Sequence, residues 1–347
     1  MRILYGVTGE GMGHAMRSRV LIEHLERNGH EVLVAASGRA ATYLARRCRD
    51  VVRIEGLTLS YRKGRVSIPR SVSQLLTRVP TIATRNLGLY GGRVARFDPE
   101  VCLTDFDSFA HLFGKLTGRP VISVDHQHVL DRFQHAPQLE VPDLTLARAA
   151  VRAKLPGCRH YLVSSFYFPP SRPGCGHNTT LVGPIVRPEL AALPVERGEH
   201  VLVYQTSTSD ARLLPSLAAL REHRFVLYGL GARPSPAPNV ELRPFSEEGF
   251  MRDLASARAV ICNGGYTTLS EAVCLGKPVL SIPIQQQGEQ QLNAAYLDAL
   301  GLGLRAAEFD PDVVARFLET ECAPRQRMAP GNRAACAALE RALARCA

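Results

Sequence analysis

Two α/β domains, each with a parallel sheet covered on both faces by helices, are what this sequence predicts, and three observations lead there. Short apolar runs alternate with helical stretches along most of the chain. The alternation breaks once, in a polar interval rich in proline, and then restarts with a new strand. The length of 347 residues also exceeds what a single core comfortably fills and suits two domains of ordinary size.

The elements follow in order. Arg2 to Val7 is a short apolar strand, and Thr8-Gly-Glu-Gly-Met-Gly-His14 turns it into an amphipathic helix with Val20, Leu21, His24 and Leu25 on one face. Residues 31–35, 51–54, 101–104, 121–124 and 161–164 are further apolar runs. The interval from Gly183-Pro-Ile-Val-Arg-Pro188 through Leu193-Pro-Val-Glu-Arg-Gly198 is the expected linker. The expected division is residues 1–186, a linker at 187–198, a second domain over 199–330 and a terminal segment over 331–347. The second half restarts at 200–206 and continues through 225–228, 240–243, 260–262 and 279–282. Residues 332–345 are rich in alanine, with Leu339 and Leu343, and read as a terminal helix.

An apolar content of 46% with 21% charged residues is globular. No run of eighteen apolar residues occurs, and Met1 leads straight into a strand and a glycine loop without a cleavage-site pattern, so a cytoplasmic chain is expected. Nine cysteines without a CxxC pair read as reduced thiols. The net charge of +10 is uneven: between Tyr61 and Arg96 stand eight basic residues (Arg62, Lys63, Arg65, Arg70, Arg78, Arg85, Arg93 and Arg96) and no acidic one. Apolar residues at helical spacing lie among them. The segment suits an anionic membrane, at the inner face, or an anionic acceptor, and equally an arginine-rich solvated face. No aromatic interleaving of the kind that binds RNA accompanies it, and no nucleic-acid partner is expected.

The stretch around which the chain is organised is Ile261-Cys-Asn-Gly-Gly-Tyr-Thr-Thr-Leu-Ser-Glu-Ala272, a strand, a glycine turn and a helix start. Gly264 and Gly265 let a bound group approach the backbone, and the free amides of a helix N-terminus suit a phosphate or diphosphate. Thr267 and Thr268 add hydroxyls and can cap the helix. Glu271 stands where a carboxylate could accept from two ribose hydroxyls. After the next strand come Glu289, Gln290 and Asn293, an acid beside amides, which can sort the hydroxyls of a sugar. Either loop alone is as well explained as an ordinary turn; the two in adjacent strand-helix units favour a nucleotide-sugar cradle.

Asn263-Gly-Gly-Tyr-Thr-Thr-Leu-Ser-Glu-Ala272, Gly276-Lys-Pro278 and Glu289-Gln-x-x-Asn-Ala294 resemble the donor-site motifs of GT-B glycosyltransferases. The nearest branch holds the lipid-linked N-acetylglucosaminyltransferase of peptidoglycan synthesis and bacterial relatives of the UDP-glucuronosyltransferases. The resemblance implies two Rossmann-like domains facing a central cleft, with a terminal helix that crosses back to the first. It also implies a metal-independent, inverting hexosyltransferase that uses a nucleotide-diphosphate sugar, most often UDP-linked, as cosubstrate and needs no cofactor. The acceptor would be a hydroxyl of a lipid, polysaccharide or natural product. A sugar-nucleotide epimerase of the same fold, or a non-catalytic nucleotide-sugar sensor, would share the donor motifs.

The first glycine loop admits a rival reading. A dinucleotide fingerprint wants its third glycine where His14 stands, and an acid near Ala36 or Ser37, where none occurs. A dehydrogenase is therefore disfavoured. Under the glycosyltransferase resemblance, Gly11 and Gly13 leave room for the donor diphosphate or the acceptor, and His14 is the candidate base, or else only a helix-start residue. Asp105 could orient His14 or act as base itself. Asp105-Phe-Asp107 imitates the metal motif of the single-Rossmann (GT-A) enzymes, but the surrounding chain does not support that fold and no metal is assigned. Asp125-His126-Gln-His128 resembles an acid-histidine cluster of related proteins, with Asp125 a catalytic candidate and His126 and His128 acceptor-binding candidates; a zinc site lacks further ligands. Thr206, in a serine- and threonine-rich loop, and Phe245, where relatives bind the base, complete the donor candidates.

Overall fold

The computed structural model describes the chain except residues 10, 57–60, 63–64, 67–83, 85, 206–212, 232–233, 321–324 and 347, with backbone alone at 61–62 and 65–66. Most of the basic segment, and Thr206, thus lie outside the described residues.

The first sheet has seven strands among the described residues: β1 (Arg2–Val7), β2 (Glu31–Ala36), β3 (Val51–Arg53), β4 (Val101–Asp105), β5 (Val121–Asp125), β6 (His160–Ser164) and β7 (Thr179–Val182). All neighbours are parallel, in the order β3-β2-β1-β4-β5-β6-β7. The second has six: β8 (His200–Tyr204), β9 (Arg224–Tyr228), β10 (Val240–Leu242), β11 (Ala259–Cys262), β12 (Val279–Ser281) and β13 (Leu304–Arg305). Its order is β10-β9-β8-β11-β12-β13, again parallel throughout. Near-continuous burial of β1, β4 and β11 fits strands covered on both faces. The two α/β domains are as predicted, with two edge strands added. β7 begins with two half-buried threonines and β13 is two residues long, so neither stands out as an apolar run.

Both sheets reverse direction of winding between their first and fourth strands. In such sheets, ligands bind outside the carboxyl ends at that reversal. In the first sheet the reversal lies between β1 and β4, where Val7 is paired with Asp105. In the second it lies between β8 and β11, where Tyr204 is paired with Cys262. The loops after β1 and β11 are the glycine loops singled out above, and β4 ends on Asp105.

One hydrophobic cluster runs through both domains, from Leu4, Leu33 and Phe133 to Tyr266, Leu269 and Leu292. A second lies on the opposite face of the first sheet and includes the terminal helix α6 (Asn332–Ala344). Ala335, Ala338, Leu339, Ala342 and Leu343 form its buried stripe, at the three- and four-residue spacing a helix needs. The crossing back is tight: Gly331 N donates to Pro184 O at 2.7 Å, and a Cβ on Gly331 would strike the backbone of Gly183. Among the described residues no helix is long and apolar enough to cross a membrane.

Candidate active site

Helix α1 (Met12–Arg27) starts after Gly11, whose φ of 83° is in the left-handed region that glycine adopts without strain. His14, Arg17 and Ser18, at i, i+3 and i+4, share one face of the helix and meet Asp105 at the end of β4. His14 Nδ1 lies 2.7 Å from Asp105 Oδ1. Arg17 donates from Nε to Oδ2 at 2.8 Å and from Nη2 to Oδ1 at 2.5 Å, and Ser18 Oγ donates to Oδ2 at 2.8 Å. Burial pushes the Asp105 carboxyl up, but the charges of Arg17 and His14 and their hydrogen bonds outweigh it and hold it below the usual range. With both oxygens taken, this carboxylate orients its neighbour and is ill placed to receive a proton. The imidazole tautomer that fits it carries hydrogen on Nδ1, which leaves the Nε2 lone pair toward the Gln127 amide at 3.4 Å.

Asp107, two residues on, serves a different end. Its Oδ2 accepts from Phe109 N and Ala110 N at 2.8 and 3.1 Å and so caps α2 (Ser108–Thr117). Phe106 between them has φ 52°, and the two carboxylates are engaged with separate partners.

The cluster after β5 is equally divided. Asp125 accepts from His128 N at 2.9 Å, His128 Nδ1 at 2.7 Å and Ser123 Oγ at 2.5 Å, and is held well below the usual range, the charge of His128 overcoming the cost of burial. His128 is 1% exposed, with its Nε2 buried among Phe106 and Tyr161 and without a partner. His126 is fully buried. Its ring stacks on Tyr266 at 3.9 Å, Nδ1 is 2.7 Å from Ser164 O, and Nε2 is 2.8 Å from Asn293 Oδ1. Neither histidine holds a ring nitrogen out toward the cleft. The residue of this turn that reaches it is Gln127, whose Nε2 donates to Glu289 Oε2 at 3.1 Å.

On the facing domain, α4 (Tyr266–Cys274) begins one turn residue earlier than the threonines suggested. The cap is Gly265 and no side chain caps the helix, so Thr267 and Thr268 lie inside it. Its leading amides are those that a helix leaves without internal partners. A Cβ on Gly265 would meet nothing within 4 Å, so the space above the helix start is open. Gly264 instead packs so close to the Gln290 backbone carbonyl that a Cβ would strike it. A Cβ on Gly13, in the first turn of α1, would strike the Thr267 hydroxyl, so the starts of the two helices touch across the seam.

Glu271 is not free. Arg187, at the start of the short helix α3 (Pro188–Ala192), grips it with two hydrogen bonds, Nε to Oε1 at 2.7 Å and Nη2 to Oε2 at 2.6 Å, and both side chains are 1% exposed. Tyr43 OH and Arg47 Nη2 hold Glu247 beside this pair, 3.8 Å from Arg187 Nη1. On α5 (Gly288–Ala299), Asn293 donates to Gly264 O at 3.0 Å and accepts from Tyr167 OH at 2.8 Å. Gln290 Oε1 accepts from Ile284 N at 2.9 Å, and Glu289 is half-buried at the start of the helix. Phe245 is 43% exposed, its ring 6.2 Å from that of Phe250. The structure therefore brings His14, Asp105, Gly13, Thr267, Gly265 and, through Gln127, Glu289 to one seam. Arg17, Ser18, Gln127 and Arg187 belong to this network and were not singled out in the sequence.

Residues 1–321 match the family described as glycosyl transferase family 1. An uncharacterized glycosyltransferase of Methanosarcina acetivorans is 25% identical over 354 residues, covering 90% of this chain and 86% of that protein. The UDP-N-acetylglucosamine--N-acetylmuramyl-(pentapeptide) pyrophosphoryl-undecaprenol N-acetylglucosamine transferase of Serratia proteamaculans is 32% identical over 176 residues, 42% of this chain and 48% of that one. Among solved structures, the glycotransferase of kitacinnamycin superposes with a TM-score of 0.64 at 18% identity, covering 99% of this chain and 95% of that one. The epimerase alternative draws no support from these matches.

Proposed function

The chain belongs to glycosyl transferase family 1 and is a GT-B glycosyltransferase; from that premise we propose that it moves a hexose from a UDP-linked sugar to an acceptor hydroxyl, with inversion and without a metal ion. The observation that carries this reading is the His14–Asp105 pair at the reversal of one sheet, set against the uncapped start of α4 at the reversal of the other.

His14 Nε2 takes the proton of the acceptor hydroxyl as its oxygen attacks the anomeric carbon, while Asp105 keeps the ring oriented through Nδ1. The leaving diphosphate gathers charge at the leading helix amides of Tyr266 and Thr267 and at the Thr267 hydroxyl, a preorganised anion site that acts as the sugar–oxygen bond breaks. Base and leaving-group site belong to opposite domains, which supports attack from the face opposite the diphosphate and hence inversion. Asp105 has both oxygens engaged by protein donors and Asp107 turns Oδ2 to its helix cap, an arrangement that does not favour a metal motif. Glu289 and Gln290 would select the sugar, with Gln127 linking Glu289 to His14. Glu271 would receive the ribose only once Arg187 releases it. His126 and Asn293, tied to each other, hold the domains together instead of lining the acceptor. The UDP-N-acetylglucosamine in the name of the Serratia relative supports a UDP-sugar donor.

A panel of nucleotide sugars tests the donor by protection against thermal unfolding, followed by release of UDP with candidate hydroxyl acceptors. Protection by UDP-sugars that is lost in Thr267→Ala and Glu289→Ala agrees with the proposal. Protection by no nucleotide sugar, or protection unaffected by both changes, refutes it.

A further inference from the structure

We propose that Arg17 is a positioning residue for proton transfer: its guanidinium neutralises Asp105 and opposes a second proton on His14, which keeps the imidazole able to accept at Nε2. This rests on His14 being the base. A carboxylate alone beside Nδ1 would draw positive charge onto the ring, and an imidazolium accepts nothing.

Here the carboxylate is not alone. Arg17 spans both of its oxygens, and the same Nη2 that bonds Oδ1 stands 2.8 Å from His14 Nδ1. The guanidinium stays protonated throughout the working pH range, so the Asp105–Arg17 pair is neutral overall, with a carboxylate oxygen at 2.7 Å and the guanidinium at 2.8 Å from the same ring nitrogen. With hydrogen on Nδ1 the cation crowds that hydrogen; with hydrogen on Nε2 it donates to Nδ1. In both tautomers it resists the second proton. The other groups around His14 are Ser18 on the same helix, Gln127 after β5, Glu289 on α5 reached through Gln127, and Thr267 on α4 against Gly13. Two further carboxylates lie near: Glu289, with Gln127 between it and the ring, and Asp125 at the end of β5, whose charge acts on Arg17. Arg17 is itself fixed: its side chain is 2% exposed and its guanidinium carbon lies 5.7 Å from the centre of the Tyr266 ring, so the cation is braced against the donor-side helix.

The test titrates His14 in the full chain labelled at histidine, its ring resonance assigned by loss in His14→Asn. In Arg17→Met the midpoint should rise by roughly one pH unit or more, and Asp105→Asn should move it the opposite way. Arg17→Lys, which keeps the charge without the fork, should return most of the wild-type value. If Arg17→Met fails to fold by circular dichroism, Arg17→Gln is read in its place. Once a donor and acceptor are in hand, the acidic limb of the pH–rate profile should shift upward by the same amount. A midpoint unchanged within about 0.2 pH unit, or a rate loss equal at every pH, overturns the proposal. Neither outcome depends on which sugar is transferred, whereas loss of the base reading itself would appear as a His14→Asn enzyme of normal rate.

Discussion

Replacing Arg187 by methionine should be among the most costly single changes in the chain. It removes two charge-assisted hydrogen bonds, of 2.7 and 2.6 Å, from Glu271, and leaves a carboxylate that is 1% exposed with its cation gone. Breaking a buried pair from one side costs about 3–5 kcal/mol, because the remaining charge is stranded in a poor solvent. Glu247 suffers less, since Tyr43 and Arg47 stay with it. For domains of this size the loss corresponds to a fall in melting temperature on the order of 10 °C. Glu271→Met should cost a similar amount by stranding Arg187. The double replacement should recover most of the loss, because an apolar pair of like volume needs no solvation, and the coupling energy should be at least about 2 kcal/mol. Urea denaturation of the four proteins measures it. Single changes that each cost under about 1 kcal/mol, or a double change that equals the sum of the two, would show that the pair carries no such burden.

His14→Ala should lower turnover by roughly 100- to 10,000-fold while nucleotide-sugar binding by calorimetry stays within a small factor. Gly13→Ala should push the Thr267 hydroxyl away and loosen the seam at a cost of about 1–3 kcal/mol; Thr267→Gly should relieve it, and unfolding together with small-angle scattering would report both. Burial pushes the His135 ring from its ordinary 6.5 down to about 4, and the ring bonds Tyr296 OH of the other domain at 3.0 Å. Between those values the unfolded chain binds more protons than the folded one. Stability from this group is therefore complete above about pH 6.5 and is lost as pH falls toward 4, by at most about 3 kcal/mol. Denaturant midpoints at pH 7.5 and 4.5 should differ, and His135→Gln should narrow the difference.

Much of this could be read before any coordinates. The paired loops, Gly11 to His14 and Asn263 to Glu271, follow strands whose apolar runs are unbroken, and the carboxyl ends of such strands are where a parallel sheet places its ligands. The meeting of His14 with Asp105 was an expectation too, since one follows a central strand through a short loop and the other ends the strand beside it. What stayed hidden were partners distant in sequence. Arg17 and Ser18 look like ordinary polar helix residues, and only the arrival of β4 under that face makes them buried ligands of Asp105. Arg187 stands in the proline-containing stretch Gly183 to Pro188, where an arginine is expected in water, yet the packing of the domains buries it on Glu271. His126 shows the opposite error. It sits beside an acid in a loop, which suggests chemistry, but the Tyr266 ring from the other domain covers its face. Helix α4 started before its threonines because Gly265 already has the extended geometry of a cap.

The shared winding of the two sheets has a consequence for how such an enzyme can diversify. In the proposed mechanism proton handling sits on the first half and anion handling on the second, so a hybrid with a foreign C-terminal half would acquire a new sugar preference and keep its base intact. Three junctions would have to be matched for the graft to close: Gly13 on Thr267, His126 on Asn293, and Arg187 on Glu271. Selection can then retune one partner molecule at a time, so long as those few fittings are inherited together.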